Sequence, residues 1–250
     1  MRGVAWTGGL LLAAVALACG VRAARAHDTP AASPPKAASA PPTDHFMIFG
    51  GVDGWQNGLF SHAGLVWAPR GLNEDGFILK FLAGSGVYRY RASTTETLGL
   101  ATLLDALPGW HFKQGRADIT LYAGLDFQNH RLRPDDLANT MRGLHSGLRI
   151  GADLWWQPTE KTMTSLSASY ASIGQGYWSR LAYGWHLLDR FYAGPEIHAM
   201  GDVTYRQWRA GAHVTALRMG SFEWSLGAGA VTDSDNRSGF YGRIGVLLRR

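Results

Sequence analysis

Glu196 and His198 stand two residues apart in a stretch that alternates apolar and polar, so both fall on one strand face. A carboxylate can orient an imidazole as a general base. With a serine hydroxyl in reach, the pair would form the nucleophilic centre of a barrel-embedded lipid- or glycan-modifying enzyme. Barrel enzymes carry such sites at the lipid-facing rim, whereas this pair shares its face with polar positions. Asp126, Arg149, Asp153, Arg180, Arg209, His213 and Glu223 fall on comparable polar faces. Carboxylates and guanidinium groups hydrogen-bond sugar hydroxyls, and Tyr and Trp faces stack on pyranose rings. The nine residues are therefore candidate lumen contacts for a sugar polymer. They are equally the material of an ion-pair network that fills a narrow barrel, since buried polar groups need partners. No P-loop, dinucleotide fingerprint, HExxH or GxSxG occurs. The single cysteine, Cys19, excludes a Cys-ligated zinc site and a disulfide framework. The chain reads as a non-enzyme with no cofactor and no metal.

The positioning elements are strands. The chain has 32 glycines and ten tryptophans in 250 residues but only 17% charged residues, against a usual quarter. Disordered chains are poor in aromatics and rich in charge, so that class is excluded. Beyond the N-terminus no apolar run reaches the length of a spanning helix. The net charge of +5 is scattered rather than gathered on one face, which argues against a nucleic-acid partner. From Phe46 onward the pattern has period two. Ile119, Leu121, Ala123, Leu125 and Phe127 alternate with Asp118, Thr120, Tyr122, Gly124 and Asp126, and 144–156 and 177–187 repeat the pattern.

About twelve strands (ten to twelve) are predicted, at 46–56, 59–68, 76–90, 98–112, 117–128, 143–157, 162–173, 176–188, 191–200, 203–217, 222–232 and 239–249. The predicted fold is all-β: a transmembrane antiparallel β-barrel with both ends in the periplasm, preferred over a soluble sandwich or lipocalin-like barrel. Turn parity agrees. Short turns at 113–116, 158–161, 189–190 and 218–221 fall on the periplasmic side, and the longest connection, 129–142, falls outside. The connection at 69–75 is long for a periplasmic turn. Trp55, Tyr88, Tyr90, Trp110, Trp155, Trp156, Tyr177, Trp178, Tyr192, Trp224 and Tyr241, near strand ends, are candidates for interfacial girdles. The last strand ends on Leu248, Arg249 and Arg250 rather than on the aromatic usual in such barrels.

Residues 1–26 read as a signal peptide, with Arg2, an apolar core from Leu10 to Cys19 and a small-x-small cleavage site at 24–26. Cys19 is an alternative lipidation site. Residues 27–45 form a Pro/Ala-rich linker that favours extended PPII, and 46–250 form the barrel domain.

Several short motifs then carry a resemblance. Gly50-Gly51-Val52-Asp53-Gly54, Tyr88-Arg89-Tyr90, Leu107-Pro108-Gly109 and Tyr122-Ala123-Gly124 are followed by Gln128-Asn129-His130 and Pro134-Asp135-Asp136. Tyr177-Trp178, Gly194-Pro195-Glu196, Gly211-Ala212-His213 and Tyr241-Gly242 complete the series. Their order and spacing resemble the cellulose biosynthesis protein BcsS family of Gram-negative bacteria. The resemblance implies an accessory outer-membrane component of cellulose (β-1,4-glucan) secretion and supplies no catalytic residues. Its expected partners are outer-membrane lipid, a cellulose chain and other secretion components. The barrel would serve as export conduit or as scaffold, and a lumen smaller than a porin's tilts the choice towards the scaffold. A general porin is the alternative. Pro195 cannot donate to a ladder, so a bulge or broken pairing is expected there, turning Glu196 into the lumen.

Overall fold

The computed structural model describes residues 43–92 and 95–250. The predicted leader (1–26), Cys19 and the linker, apart from 43–45, lie outside the described residues.

Twelve strands follow in chain order: β1 (Phe46–Trp55), β2 (Gly58–Trp67), β3 (Gly76–Ala92), β4 (Thr95–Gln114), β5 (Ala117–Arg133), β6 (Gly143–Thr159), β7 (Thr162–Ala171), β8 (Tyr177–Leu187), β9 (Phe191–Gly201), β10 (Arg206–Met219), β11 (Phe222–Asp233) and β12 (Ser238–Arg249). Each pairs antiparallel with the next, and β12 pairs with β1 to close a barrel. At that seam the N–H groups of His45 and Phe46 both donate to the Arg250 carbonyl at 2.7 Å. The seam is thus hydrogen-bonded as far as Arg250. Strands β3, β4 and β5 run to 17, 20 and 17 residues, longer than expected, and the outer loop shrinks to 134–142.

Alternation decides which side chains meet lipid. Leu104, Leu121, Leu125, Leu148, Ile150 and Trp208 all point outward and are exposed. A closed barrel has no second sheet to cover them, so a soluble β-fold would leave a large apolar surface in water. The girdles differ from those expected. Adjacent strand residues face opposite sides, so Trp155 and Trp156 cannot both face lipid. Trp110, Trp156, Tyr177 and Trp224 keep to the outer side. Trp55, Tyr88, Tyr90, Trp155, Trp178, Tyr192 and Tyr241 take the inner parity of their strands. Trp67, Phe77, Phe112, Trp185 and Phe222 join the exposed ring at the periplasmic end, and Tyr170, Trp208 and Phe240 at the outer end.

The prolines mark where the ladder lapses. At Pro195 the β8–β9 pairing skips from Ala182↔Glu196 to Trp185↔Ala193 with no change of register. Pairing is broken there, as one of the two expectations had it, but Glu196 faces the lumen by plain alternation rather than through a bulge. Register shifts occur instead between Val214 and Leu217 on β10, where Ala216 has φ 58°, and between Trp156 and Thr159 on β6, beside Pro158.

Both rims are tied down. The long 68–75 connection is hydrogen-bonded to the segment that leads into β1, Leu72 N–H to the Asp44 carbonyl at 2.8 Å and Ala68 N–H to the His45 carbonyl at 2.9 Å. At the outer mouth the Tyr90 hydroxyl donates to Asp136 at 2.7 Å and accepts from Asn139 at 3.0 Å, holding the 134–142 loop. Val203 N–H reaches the Gly174 carbonyl at 3.0 Å, and Arg237 reaches the Arg89 carbonyl at 3.1 Å.

Candidate functional site

All nine candidate residues face the interior, and seven of them fall into two groups. The first lines β3 to β6. Arg149 sits between two carboxylates, its Nε 3.1 Å from Asp105 and its Nη2 3.1 Å from Asp126. Gln128 donates to Asp126 at 2.8 Å, and His130 links Gln128 to the Tyr88 hydroxyl at the outer mouth. Four residues further along β6 toward the periplasm, Asp153 accepts from Lys80 at 3.0 Å, and the Lys80 ammonium lies 4.3 Å from the Tyr122 ring centre. Tyr122 in turn lies flat over Gly151, where an added Cβ would stand 2.4 Å from the ring. The glycine is what lets the ring lie against the wall.

The second group lines β8 to β12 and gathers on one carboxylate. Glu196 receives Arg243 through Nη2 at 2.5 Å, Arg180 through Nε at 2.9 Å and the Tyr241 hydroxyl at 2.9 Å. The His198 Nε2 lies 3.3 Å away, with the Trp178 and Tyr241 rings edge-on to the imidazole. Gly227 opens the space, since a Cβ there would meet Glu196 Oε1 at 2.2 Å. Beside it Arg209 clamps both oxygens of Asp53 at 2.6 and 2.7 Å and donates to Gln207. Gln207 donates to the Tyr205 hydroxyl, which donates to Asp233, itself held by Arg237 at 2.8 Å. Tyr205 lies in the outer 202–205 connection. Burial first, then the Asp233 carboxylate, push its hydroxyl above the ordinary phenol range, so it stays protonated and donating.

His213 has a backbone role. Pro195 has no N–H for the Tyr183 carbonyl, and the His213 Nε2 donates to that carbonyl at 3.1 Å. Glu223 stands apart at the periplasmic end of β11, 3.8 Å from Arg218.

The arrangement has clear chemical consequences. The Asp105, Asp126 and Glu196 side chains have no solvent exposure, so arginine and aromatic groups screen them from anything in the lumen. Asp153, 36% exposed, and Asp53, 26% exposed, remain reachable. Glu196 and His198 do approach each other, but two arginines and a tyrosine hold the carboxylate, and no serine hydroxyl bonds His198 among the described residues. Among those residues no trio of His, Asp and Glu is placed to hold a metal ion. Asp53, Lys80, Asp105, Tyr241 and Arg243 were missing from the candidate set. Their inward parity was readable in the alternation, whereas their partners two or three strands away were not.

A family model described as cellulose biosynthesis protein BcsS matches residues 47–250. No curated protein matches the chain. Among solved structures it is similar to the COG4313 outer membrane channel from Pseudomonas putida F1, at 11% identity and TM-score 0.52, over 84% of this chain and 97% of that one. The KdgM porin in complex with disordered oligogalacturonate aligns at 12% identity and TM-score 0.44, over 81% and 98%. A Pseudomonas aeruginosa FadL homologue aligns at 11% and 0.37, over 83% and 75%.

Proposed function

The chain belongs to the cellulose biosynthesis protein BcsS family, and from that premise we propose that it is an outer-membrane conduit for a single β-1,4-glucan chain. The observation that carries this reading is how the interior side chains are braced. Lys80–Asp153 joins β3 to β6, Gln157–Tyr192 joins β6 to β9, Glu196–Arg243 joins β9 to β12, and Arg209–Asp53 joins β10 to β1. Each contact spans three strand intervals of twelve, a quarter of the circumference. Twelve strands about 4.8 Å apart and tilted ~40° give a backbone radius of roughly 12 Å. A quarter-arc chord then passes about 8 Å from the axis rather than through it. Bracing of this kind hugs the wall and leaves the centre to a polymer, which shifts the balance from scaffold to conduit.

The wall also suits a sliding sugar chain. The buried carboxylates are engaged by arginines from the side, and Tyr88, Trp155 and Trp178 supply aromatic surface at both ends. β7 presents only the small hydroxyls of Ser165, Ser167 and Ser169 between Met163 and Ala171. Weak, repeated contacts let a polymer move, where a deep carboxylate pocket would hold it.

The test narrows the lumen at β7. In the source bacterium, Ser167→Trp with Ser169→Trp should abolish secreted insoluble β-1,4-glucan while the barrel still migrates as a folded, heat-modifiable band. Glucan should then build up in the periplasm. Full secretion through the narrowed barrel would sink the conduit and leave the scaffold. Unchanged secretion on deleting the gene would sink the cellulose role itself.

A further inference from the structure

The outer face of β3, β4 and β5 carries a feature the lumen does not explain. Arg89 and Arg91 on β3, and Arg131 and Arg133 on β5, have outward parity and are exposed. They flank β4 in register. Leu98 pairs with Arg89 on one side and Arg133 on the other, and Leu100 pairs with Val87 and Arg131. The result is two arginine columns about two strand spacings, ~10 Å, apart, with exposed leucines between them. Among the described residues none of the four guanidinium groups lies within ion-pair distance of a carboxylate. Glu96, opposite Arg91 in register, is the one acidic side chain on this face of β4, and Asp135 beyond it is engaged by Arg142 at 2.6 Å.

Depth is set by the apolar band below. On β3 the outward residues Phe77, Leu79, Phe81, Ala83, Ser85 and Val87 precede Arg89. Ten residue steps at about 3.3 Å along a strand tilted ~40° give roughly 25 Å of height, the thickness of the lipid-facing band of such barrels. The arginines begin where the hydrocarbon ends. They do so on the side opposite the start of β1 and the end of β12, which is the outer leaflet.

We propose that this face is a binding site for the phosphate groups of the outer-leaflet glycolipid. Arginine forks pair bidentately with phosphate, and two columns ~10 Å apart can engage two phosphates of one headgroup. Leu98, Leu100 and Val87 then lie against the upper acyl chains. The proposal is independent of what passes through the lumen.

The experiment uses the full-length barrel in detergent with diphosphoryl lipid A as probe, read by native mass spectrometry. Wild-type protein should retain diphosphoryl lipid A at least tenfold more tightly than the enzymatically dephosphorylated lipid, and millimolar inorganic phosphate should not displace it. Arg89→Gln/Arg91→Gln/Arg131→Gln/Arg133→Gln should lose that preference, whereas Arg116→Gln/Lys161→Gln at the periplasmic turns should keep it. If the quadruple variant does not fold, Arg131→Gln/Arg133→Gln alone should reduce the preference at least threefold. Equal retention of the two lipids by wild-type protein, displacement by free phosphate, or an undiminished preference in the folded arginine variants would each overturn the assignment.

Discussion

The two polar groups inside the barrel solve opposite problems. On β8 to β12 a single carboxylate, Glu196, meets two arginines, a tyrosine and a histidine. On β3 to β6 a single arginine, Arg149, is divided between two buried carboxylates. Both Asp105 oxygens and one Asp126 oxygen there lack a hydrogen-bond partner. The β8–β12 group is saturated with donors and holds three strands in fixed relation. The β3–β6 group is short of donors, and a like-charge pair is held together by one guanidinium. The same residue types therefore make a rigid brace in one wall and a loosely satisfied pair in the other.

Substitutions can break or sharpen that contrast. The largest effect is expected from Glu196→Ala, which leaves Arg180 and Arg243 buried and unpaired and should cost about 3–5 kcal/mol in urea unfolding of the reconstituted barrel. Arg149→Gln should cost about 3 kcal/mol by the same measurement, because two carboxylates lose their only cation. Combining it with Asp105→Asn should recover about half of that loss, since one of the stranded charges is then absent. Asp105→Asn alone should change stability by no more than ~1 kcal/mol, in either direction. A cost for Asp105→Asn equal to that of Glu196→Ala would mean that the two walls are not different in kind. The smallest effect belongs to Asp153→Asn, under about 1 kcal/mol, because its bridge to Lys80 is partly solvated.

Much of this molecule is legible in its sequence, because the period-two pattern carries both the strands and their faces. All twelve strands appear near their expected places, and each of the nine candidate residues faces inward. Two things were not legible. Inner pairing such as Arg243 with Glu196 depends on barrel closure and stagger, which local alternation does not encode. The extra length of β3 to β5 follows from pairs such as Arg91↔Glu96 and Leu98↔Arg133, which extend the sheet above the membrane through polar sequence that looks like loop. The girdle differs for another reason: residue type and nearness to a strand end do not set the side, and the adjacency of Trp155 and Trp156 sends them to opposite faces.

Of the four quarter-arc contacts, three join strands that lie close in chain order. Arg209 and Asp53 are 156 residues apart, and β1 comes within reach of β10 only when the sheet has curled shut. A chain entering the bilayer strand by strand can set the other three while its sheet is still open. The fourth waits for the end. It therefore dates the final event of biogenesis: until the first and last strands meet, Arg209 has no Asp53 to clamp.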